Sequence, residues 1–465
     1  MADQTILQIK TESQSYFFWY LGNFPKSQKI KWLSWLTAFV VATGLIAISI
    51  SPSAYGQKDI RQYVKSSISV ISTLDSIQIG KDIGAIKAAI GDAKVVMLGE
   101  QSHGDGTTFS AKSQLVKYLH DSLGFDILVF ESDFFALTNG WPKVQKDSKA
   151  ISSFLRHNVY PIWSFSDECK ELLYNFIPAT YQTERPLKLA GIDPQMHGKY
   201  TGDSLSTCLN RFFDIHKDDL PDYKRYQAEC ISLLDSVLIL NYKNEKYLDS
   251  ILNTGFKQRM VSLSATFNEI CENIPQQYRS QDEYVALKNI IVFINDLSQR
   301  KNKAVKGSRD AQMAENLKWL VQSKFQGSKI IVWAANTHIM RNASTSFQKS
   351  SSNIETLGTT FTRDSQFADK TYILGFTSST GESQTVMQRM PFQIRYASSG
   401  FESWIADTVH FGFVDFRQFN RIQQGYNNHF ILKARGHSPI MAKWTNIFDG
   451  VFYIRRMYPA HPIKY

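Results

Sequence analysis

The sequence contains few cysteines and lacks the short motifs that mark the commonest classes of enzyme. Its four cysteines, Cys169, Cys208, Cys230 and Cys271, show no CxxC spacing, which argues against a zinc ribbon or a thioredoxin-like redox site. No G-x-S-x-G elbow is present, so a nucleophilic serine hydrolase is disfavoured. The signatures of zinc proteases (H-E-x-x-H), P-loop nucleotide sites (G-x-x-x-x-G-K-S/T) and dinucleotide sites (G-x-G-x-x-G) are absent too.

The chain also lacks a strong excess of charge of either sign. Over 465 residues, 52 Lys and Arg oppose 42 Asp and Glu, which leaves a formal charge of +10. This excess is modest for the length and does not predict binding to nucleic acid. The 43% of hydrophobic residues and the absence of low-complexity segments are typical of a globular protein.

One long uncharged run stands out near the N-terminus. Residues 32–50, WLSWLTAFVVATGLIAISI, are nineteen positions without a charge, enough to span a bilayer as a helix. Lys26, Lys29 and Lys31 precede the run, which predicts export of the rest of the chain across the cytoplasmic membrane. The small residues at 51–56 resemble a cleavage site, so a cleaved signal peptide and an uncleaved signal anchor in the membrane both remain open. A buried core helix is the third interpretation.

The remainder, residues 57–465, predicts one α/β domain after an N-terminal tail of residues 1–56. Five short runs have the nearly continuous apolar character of strands that are covered on both faces, as in a parallel sheet. They are KVVMLGE (94–100), FDILVFES (125–132), LKLAGID (187–193), KIIVWAAN (329–336) and TYILGFT (371–377). Apolar stripes at helical spacing predict a large all-helical insertion at about 205–300. We therefore expect a mostly parallel sheet with helices on both faces.

Polar side chains follow three of these strands at the points where they end. Glu100 and His103 come after the first strand, Glu131 and Asp133 after the second, and His338 after the fourth. The carboxyl ends of parallel strands meet at one edge of a sheet, where ligands bind in open α/β folds. Imidazoles and carboxylates at one edge are the groups needed for general acid–base catalysis on a water molecule. In this interpretation His103 takes a proton from water, and Glu100 orients its ring.

A metal site is an alternative interpretation of the same residue types. His103, His338 and a carboxylate could together bind a divalent cation. The sequence contains no closed set of metal ligands, however, so we expect a site without a cofactor. Any one of these histidines taken alone is more simply a surface or structural residue, and the hypothesis depends on their coming together.

Four segments together resemble the erythromycin esterase family in order and spacing. They are VMLGEQSHGDG (96–106), GFDILVFES (124–132), SRDAQMAENLKWL (308–320) and KIIVWAANTHI (329–339). The resemblance implies an α/β core with a helical insertion. It also implies hydrolysis of a macrolactone ester by water that a histidine activates, without a covalent intermediate. Carried over by position, Glu100 and His103 correspond to the family's essential Glu and His. Glu131 falls on its acidic residue after the second strand, and His338 on the second histidine of its H-N-x-H pattern.

Two positions depart from the pattern of the family. Ala335 stands where H-N-x-H has its first histidine, which removes an acid, a base or a ligand. Lys112 stands where the antibiotic-resistance members carry an arginine, and lysine keeps the charge without the fork geometry of a guanidinium. Both changes bear on macrolide hydrolysis in particular and leave the pair of His103 and Glu100 intact.

Our main hypothesis is an exported or membrane-anchored hydrolase that cleaves an ester or lactone bond in a small molecule. His338 together with Glu131 would position or protonate the reacting group. Two alternatives remain open. One is a non-catalytic binding protein of the cell envelope on the same fold, which the change at Ala335 motivates, and the other is a metal-dependent hydrolase.

Three further side chains are candidates for substrate binding. Lys112 and Arg309 would bind the oxygens of the substrate, and Asp133 lies at the end of the second strand. For Arg309, a salt bridge to Asp310 or Glu315 on its own helix is an equal alternative.

Overall fold

The structure is a computed structural model. It describes residues 52–74, 83–218, 255–298, 308–347, 355–385 and 390–464, with a few positions between 219 and 254. The apolar run at 32–50 lies outside the described residues, as do parts of the predicted insertion. Within the described ranges, no helix has both the length and the apolar composition needed to cross a membrane.

A mostly parallel sheet forms the centre of the described chain. The described strands are β1 Ser69–Ile71, β2 Val95–Leu98, β3 Phe125–Asp133, β4 Lys188–Asp193, β5 Lys329–Trp333, β6 Thr371–Gln384, β7 Pro391–Ile394, β8 Phe411–Asp415, β9 Phe430–Arg435, β10 Ser438–Ala442 and β11 Gly450–Met457. The order across the sheet is β1-β8-β11-β6-β2-β5-β3-β4, and β7 pairs with β6. The strands from β11 to β4 are parallel, whereas β1, β7 and β8 pair in antiparallel fashion. β9 and β10 form a separate antiparallel pair.

The five predicted strands are present as β2 to β6 and are neighbours in the parallel part of the sheet. Their side chains alternate between two hydrophobic cores. Leu98 and Trp333 pack in one core, whereas Met97 and Val332 pack in the other. Burial on both faces is the reason why these runs are apolar at nearly every position. The predicted α/β fold class is confirmed.

Helices cover the sheet and connect its strands. The described α-helices are α1 Pro52–Ser67, α2 Gly84–Ile90, α3 Gly106–Leu123, α4 Ser148–Asn158, α5 Pro161–Ser164, α6 Asp167–Lys170, α7 Ile177–Thr180, α8 Lys199–Ile215, α9 Phe256–Asn273, α10 Asp282–Ser298, α11 Ser308–Trp319, α12 Asn336–Ile339, α13 Ala343–Ser346, α14 Leu357–Phe361, α15 Ser365–Ala368, α16 Phe416–Ile422 and α17 Trp444–Ile447. Single π-helical turns cover Ala136–Gly140, Glu171–Phe176 and Leu320–Lys324, and 3-10 turns cover Trp141–Lys143, Gln276–Tyr278 and Phe401–Trp404. The helix predicted between the first two strands is α3, which ends at Gly124 in the left-handed conformation (φ 74°).

Three helices in the region of the predicted insertion share a hydrophobic core of their own. Side chains of α8, α9 and α10 pack together there, among them Phe267 and Ile294. Asn289 of α10 and Asn316 of α11 exchange side-chain hydrogen bonds of 3.0 and 2.7 Å. Asn316 also donates to the carbonyl oxygen of Ile192 in β4 at 2.8 Å. This buried amide pair connects the helical layer to the helix that precedes β5.

The apolar runs of the sequence predict no strand beyond residue 377, yet β7, β8, β9, β10 and β11 all lie there. Each of these strands contains polar, charged or glycine residues. In β11, only the segment from Val451 to Ile454 is continuously apolar. Their placement depends on tertiary pairing with β6 and with one another more than on a local pattern.

Candidate active site

The carboxyl edge of the parallel strands brings together the polar side chains that follow β2, β3 and β5. Leu98 of β2 and Phe130 of β3 are both paired with Trp333 of β5, so that the residues after these positions emerge side by side. Four of the residues predicted from the sequence meet at this edge: Glu100, His103, Glu131 and His338.

A buried carboxylate holds His103 in the turn between β2 and α3. The Nδ1 atom of His103 lies 2.6 Å from Glu100 Oε1, and Lys112 Nζ donates to Glu100 Oε2 at 2.7 Å. Glu100 and Lys112 are fully buried, whereas 24% of the His103 side chain is exposed. Because a carboxylate accepts, Nδ1 carries the proton in this contact, and Nε2 is left to act on a ligand.

The charges in this trio set the protonation of His103 and Glu100. Burial raises the pKa of Glu100, but the Lys112 ammonium and His103 outweigh this effect and hold the pKa below its usual range. Burial lowers the pKa of His103, but the hydrogen bond to Glu100 and the charge of Glu131 outweigh it, so the net shift is upward. Burial also lowers the pKa of Lys112, although Glu100 opposes the shift. Glu100 is therefore ionised, and His103 is a stronger base than a free histidine.

Glu131, at the end of β3, faces nitrogen atoms from three other elements. Its Oε1 atom lies 3.1 Å from His338 Nε2, 3.0 Å from Arg309 Nη2 and 3.8 Å from His103 Nε2. Its Oε2 atom accepts from the backbone N–H of Ala335 at 2.9 Å. Burial raises the pKa of Glu131, but the neighbouring cations hold it well below its usual range. Ala335 thus contributes to the site through its backbone, at the position where the sequence lacks a histidine.

His338 lies between two carboxylates at the start of the segment after β5. Its Nδ1 atom is 2.7 Å from Asp310 Oδ1, and its Nε2 atom faces Glu131. Burial lowers the pKa of His338, but the charges of Glu131 and Asp310 outweigh burial and raise the pKa to about 10. The ring is therefore an imidazolium at neutral pH, with 14% of its side chain exposed.

Asp310 is a site residue that the sequence analysis missed, since it considered this carboxylate only as a partner of Arg309. Besides His338, Asp310 Oδ1 accepts from the backbone N–H of Leu357 at 3.0 Å. Both bonds come from segments far away in sequence. The one signal that could have pointed to Asp310 is its place beside Arg309 in the first turn of α11.

Arg309 binds two strand-end carboxylates. Its guanidinium donates to Asp193 Oδ1 at 2.9 Å and to Asp193 Oδ2 at 2.5 Å, in addition to Glu131. Burial lowers the pKa of Arg309, but these carboxylates outweigh it and raise the pKa further. Its ion-pair partners are thus on β3 and β4 and not on its own helix. The side chain remains 27% exposed, which leaves part of the cation facing solvent.

Two predicted substrate-binding residues are turned into the protein. Lys112, besides its bond to Glu100, donates to the Ala334 carbonyl oxygen at 3.3 Å and lies 4.3 Å from the centre of the Trp333 ring. Asp133 is fully buried. Its oxygens accept from the backbone N–H groups of Ala136 at 3.0 Å and of His197 and Gly198 at 2.9 Å each. These contacts favour positioning roles for both residues.

Aromatic rings that the sequence analysis did not single out lie beside the charged groups. The rings of Trp163 and His103 are nearly perpendicular, at 83°, with 5.7 Å between the ring centres. Tyr160 contacts Trp163 at 6.2 Å and His197 at 4.6 Å between ring centres. No local motif marks these rings, since Trp163 lies on the short helix α5 and Tyr160 directly precedes it, and both reach the site through the packing of this segment.

The arrangement presents acids and bases for proton transfer. His103 offers a basic nitrogen, and the imidazolium of His338 and the guanidinium of Arg309 offer positive charge around the same oxygen of Glu131. Among the residues that the structure describes, no three His, Cys, Asp or Glu side chains are arranged to hold a metal ion.

Comparison with known proteins gives a family and two curated relatives. The family model for erythromycin esterase matches residues 120–457. The "Putative hydrolase YbfO" of Bacillus subtilis (strain 168) is 24% identical over 277 residues, which are 56% of this chain and 59% of the relative. "Erythromycin esterase type II" of Escherichia coli is 23% identical over 284 residues, with 56% and 64% covered. The match thus spans less than two thirds of the length of either relative.

Two solved structures share the fold. A succinoglycan biosynthesis protein has a TM-score of 0.66 at 18% identity, with 87% of this chain and 98% of that chain covered. A mutant of the erythromycin esterase EreC in its open conformation has a TM-score of 0.57 at 13% identity, with 85% and 99% covered. Both similarities extend over nearly the whole of the neighbouring chain.

Proposed function

Because the chain belongs to the erythromycin esterase family, we propose that it is a hydrolase that cleaves an ester or lactone bond in a small molecule. The observation that carries the proposal is the contact of 2.6 Å between His103 and the buried, ionised Glu100. This contact leaves the Nε2 atom of His103 directed to the edge where the other charged groups meet. A partly exposed histidine held in this way is suited to act as a general base.

In the proposed reaction, His103 activates water directly. Its Nε2 atom removes a proton from a water molecule while the water oxygen attacks the carbonyl carbon of the ester. The tetrahedral intermediate then collapses, the bond to the alcohol oxygen breaks, and the proton held by His103 passes to the leaving alcohol. No protein atom becomes bonded to the substrate, so the reaction has no covalent intermediate.

Cations beside Glu131 stabilise the charge that develops. The carbonyl oxygen becomes an oxyanion during attack, and fixed positive groups lower the energy of that state. His338 and Arg309 are both charged and partly exposed, at 14% and 27% of their side chains. Asp310, Asp193 and Glu131 hold these two cations in place.

The experiment is a hydrolysis screen of the full chain against chromogenic esters, lactones and erythromycin, with His103→Gln as the test variant. We expect His103→Gln to lower kcat by about 10²- to 10⁴-fold, the usual contribution of a general base. His157→Gln is the matched control, since His157 is an exposed histidine on α4. Full activity of His103→Gln on any substrate found would refute the assignment of the base.

The same screen separates the two alternative functions. Tight binding of a compound without product, unchanged in His103→Gln, indicates a non-catalytic binding protein. Activity that a chelator abolishes and a divalent ion restores indicates a metal-dependent hydrolase. Turnover that is insensitive to chelator and lost in His103→Gln supports the proposal.

We also propose that the protein is exported and either released or anchored by its N-terminal segment. The uncharged run at 32–50 and the lysines before it support this location. Cell fractionation, with mass spectrometry of the N-terminus of the recovered protein, tests it. Recovery of the intact chain from the cytosol contradicts export. A new N-terminus near 51–56 indicates cleavage, and the intact chain in the membrane fraction indicates an anchor.

A further inference from the structure

A buried carboxylate, Asp105, connects the turn that carries His103 to distant parts of the chain. Its Oδ2 atom accepts from the backbone N–H of Ser102 at 3.0 Å, next to His103 in the chain. Its Oδ1 atom accepts from His437 Nε2 at 2.9 Å and from the hydroxyl of Ser383 at 2.6 Å. Asp105 is fully buried, so these bonds are shielded from water.

His437 occupies an unusual backbone position in order to make this contact. It lies in the turn between β9 and β10, with φ at 58°, directly after Gly436 with φ at 55°. Two consecutive residues with positive φ form the type of hairpin turn that favours glycine or asparagine. A histidine at this position has a higher backbone energy than glycine or asparagine. The hydrogen bonds of its side chain offset that cost. That side chain is 3% exposed, and its Nδ1 atom accepts from the hydroxyl of Ser378 at 3.2 Å.

The same hairpin also binds the turn on the other side of His103. The backbone N–H of Gly436 donates to the carbonyl oxygen of Gln101 at 3.0 Å. The side-chain amide of Gln101 donates to the carbonyl oxygen of Lys433 at 2.5 Å. The hairpin therefore holds the turn both before His103, at Gln101, and after it, at Asp105.

We propose that His437 is a positioning residue, which acts through Asp105 to hold His103 against Glu100 and in front of Glu131. The proposal rests on the proposed function in one respect, the role of His103 as the base. The groups that face His103 are Glu100, Glu131 and His338. A turn that loosens moves His103 relative to these groups, while the sheet and the two cores stay in place.

The experiment uses His437→Asn in the full chain. Asparagine accepts positive φ but is too short to reach Asp105, so the hairpin is kept and the bond is lost. We expect kcat to fall by about 10- to 100-fold with KM little changed, the usual cost of a small misplacement of a catalytic group. We also expect the pKa of His103, followed by NMR of labelled histidines, to fall towards the ordinary range. The His103→Gln variant assigns the His103 signal.

Matched variants separate positioning from a general loss of structure. His437→Gln places an amide within reach of Asp105, and we expect it to recover activity and the His103 titration. Ser438→Ala, at an exposed position of the same hairpin, should behave as the wild type in both assays. Ser383→Ala removes another donor to Asp105 without touching the turn, and should shift His103 in the same direction by less.

The outcomes distinguish this proposal from the proposed function. An unchanged His103 titration in both His437→Asn and Ser383→Ala overturns the positioning role, even if ester hydrolysis is found. If His437→Asn does not fold, Ser383→Ala alone tests the role of the contacts to Asp105. An unchanged pKa of His103 in that variant refutes the positioning role. If the wild type hydrolyses no ester but the pKa of His103 changes in the His437 variants, the positioning role of His437 stands and the proposed reaction is rejected.

Discussion

The buried pair of Lys112 and Glu100 allows the most direct test of the site, through the variant Lys112→Met. Methionine has a similar length, and its sulfur keeps a favourable contact with the Trp333 ring that Lys112 covers at 4.3 Å. What the variant removes is the positive charge 2.7 Å from Glu100 Oε2. Glu100 is then a fully buried carboxyl group whose remaining partner is His103.

The magnitude follows from the burial of both partners. Removing one partner of a buried ion pair usually costs about 3–5 kcal/mol, because it leaves the other charge without compensation in a medium that solvates it poorly. Both side chains here are 0% exposed, so no discount for solvent screening applies. Burial already raises the pKa of Glu100, and the loss of Lys112 leaves that effect less opposed. We therefore expect Glu100 to become protonated more readily, and hydrolysis to fall along with stability.

The assay is urea unfolding at pH 7, followed by tryptophan fluorescence, for the two single variants and the double variant of a mutant cycle. We expect Lys112→Met to lower the free energy of unfolding by about 3–5 kcal/mol. The double variant Lys112→Met with Glu100→Gln should cost about 2–3 kcal/mol less than the sum of the single changes. Lys117→Met on the same helix is the control, because its partner Glu171 is 58% exposed, and such pairs contribute less than about 1 kcal/mol.

A cost of less than about 1 kcal/mol for Lys112→Met, the range of an exposed pair, contradicts a buried ion pair between Lys112 and Glu100. Strict additivity in the double variant also contradicts this ion pair, since the two side chains would then not interact. An equal loss in the free energy of unfolding for Lys112→Met and Lys117→Met contradicts it too.

Three further predictions follow from the contacts at the site and around its turn. Asp310→Asn should lower the pKa of His338 and reduce kcat, which a pH–rate profile beside the wild type would detect; an unchanged profile contradicts the role of Asp310. Since folding raises the pKa of His338 from 6.5 to about 10, its contribution to stability is full below pH 6.5 and is lost as the pH rises to about 10. Urea midpoints across this range should therefore decline in the wild type, and by less in His338→Gln. Gly104→Ala would place a Cβ atom 2.0 Å from the Gln384 carbonyl oxygen and should cost about 1–3 kcal/mol, whereas Gly84→Ala, with nothing within 4 Å, should leave the melting temperature nearly unchanged.

The strands of the parallel sheet could be predicted from the sequence because their environment is nearly uniform. A strand that is buried on both faces has to be apolar at almost every position, and such runs are conspicuous in a chain of average composition. The strand ends followed from the same pattern, and with them the meeting of His103, Glu131 and His338. Strands β7 to β11 have no comparable signature because each contains polar, charged or glycine residues, and β7, β8 and β10 are partly exposed.

The roles of individual charges were less accessible, because a sequence does not reveal which way a side chain points. Lys112 was predicted to bind substrate from its charge and its place in a helix, but its ammonium group is buried against Glu100. Asp133 follows a strand end just as Glu131 does, yet it accepts from backbone N–H groups. Residues two apart in a regular strand point to the same face. The pairing of β3 with β4 is irregular between Phe130 and Asp133, however, and the two carboxylates have different partners.

Asp310 shows a different limit of sequence analysis. Its partners, His338 and the backbone of Leu357, come from two later segments of the chain. Nothing in the neighbourhood of Asp310 distinguishes it from an ordinary acidic residue in the first turn of a helix, where such residues are common. Only the packing of α11 beside β4 and α14, which brings Asp310 to His338 and Leu357, gives it a role.

The position of β5 has a consequence for how the candidate active site is assembled. This strand lies between β2 and β3, although it is made after both of them and after the helical region. During synthesis, β2 and β3 therefore have open edges, which are prone to pair with other chains until residues 329–333 arrive. Contacts between such distant segments form slowly, because a long loop must first be closed. We therefore expect the activity to return during refolding at the rate at which β5 pairs with β2 and β3. We also expect a chain truncated before residue 329 to be inactive and prone to aggregate.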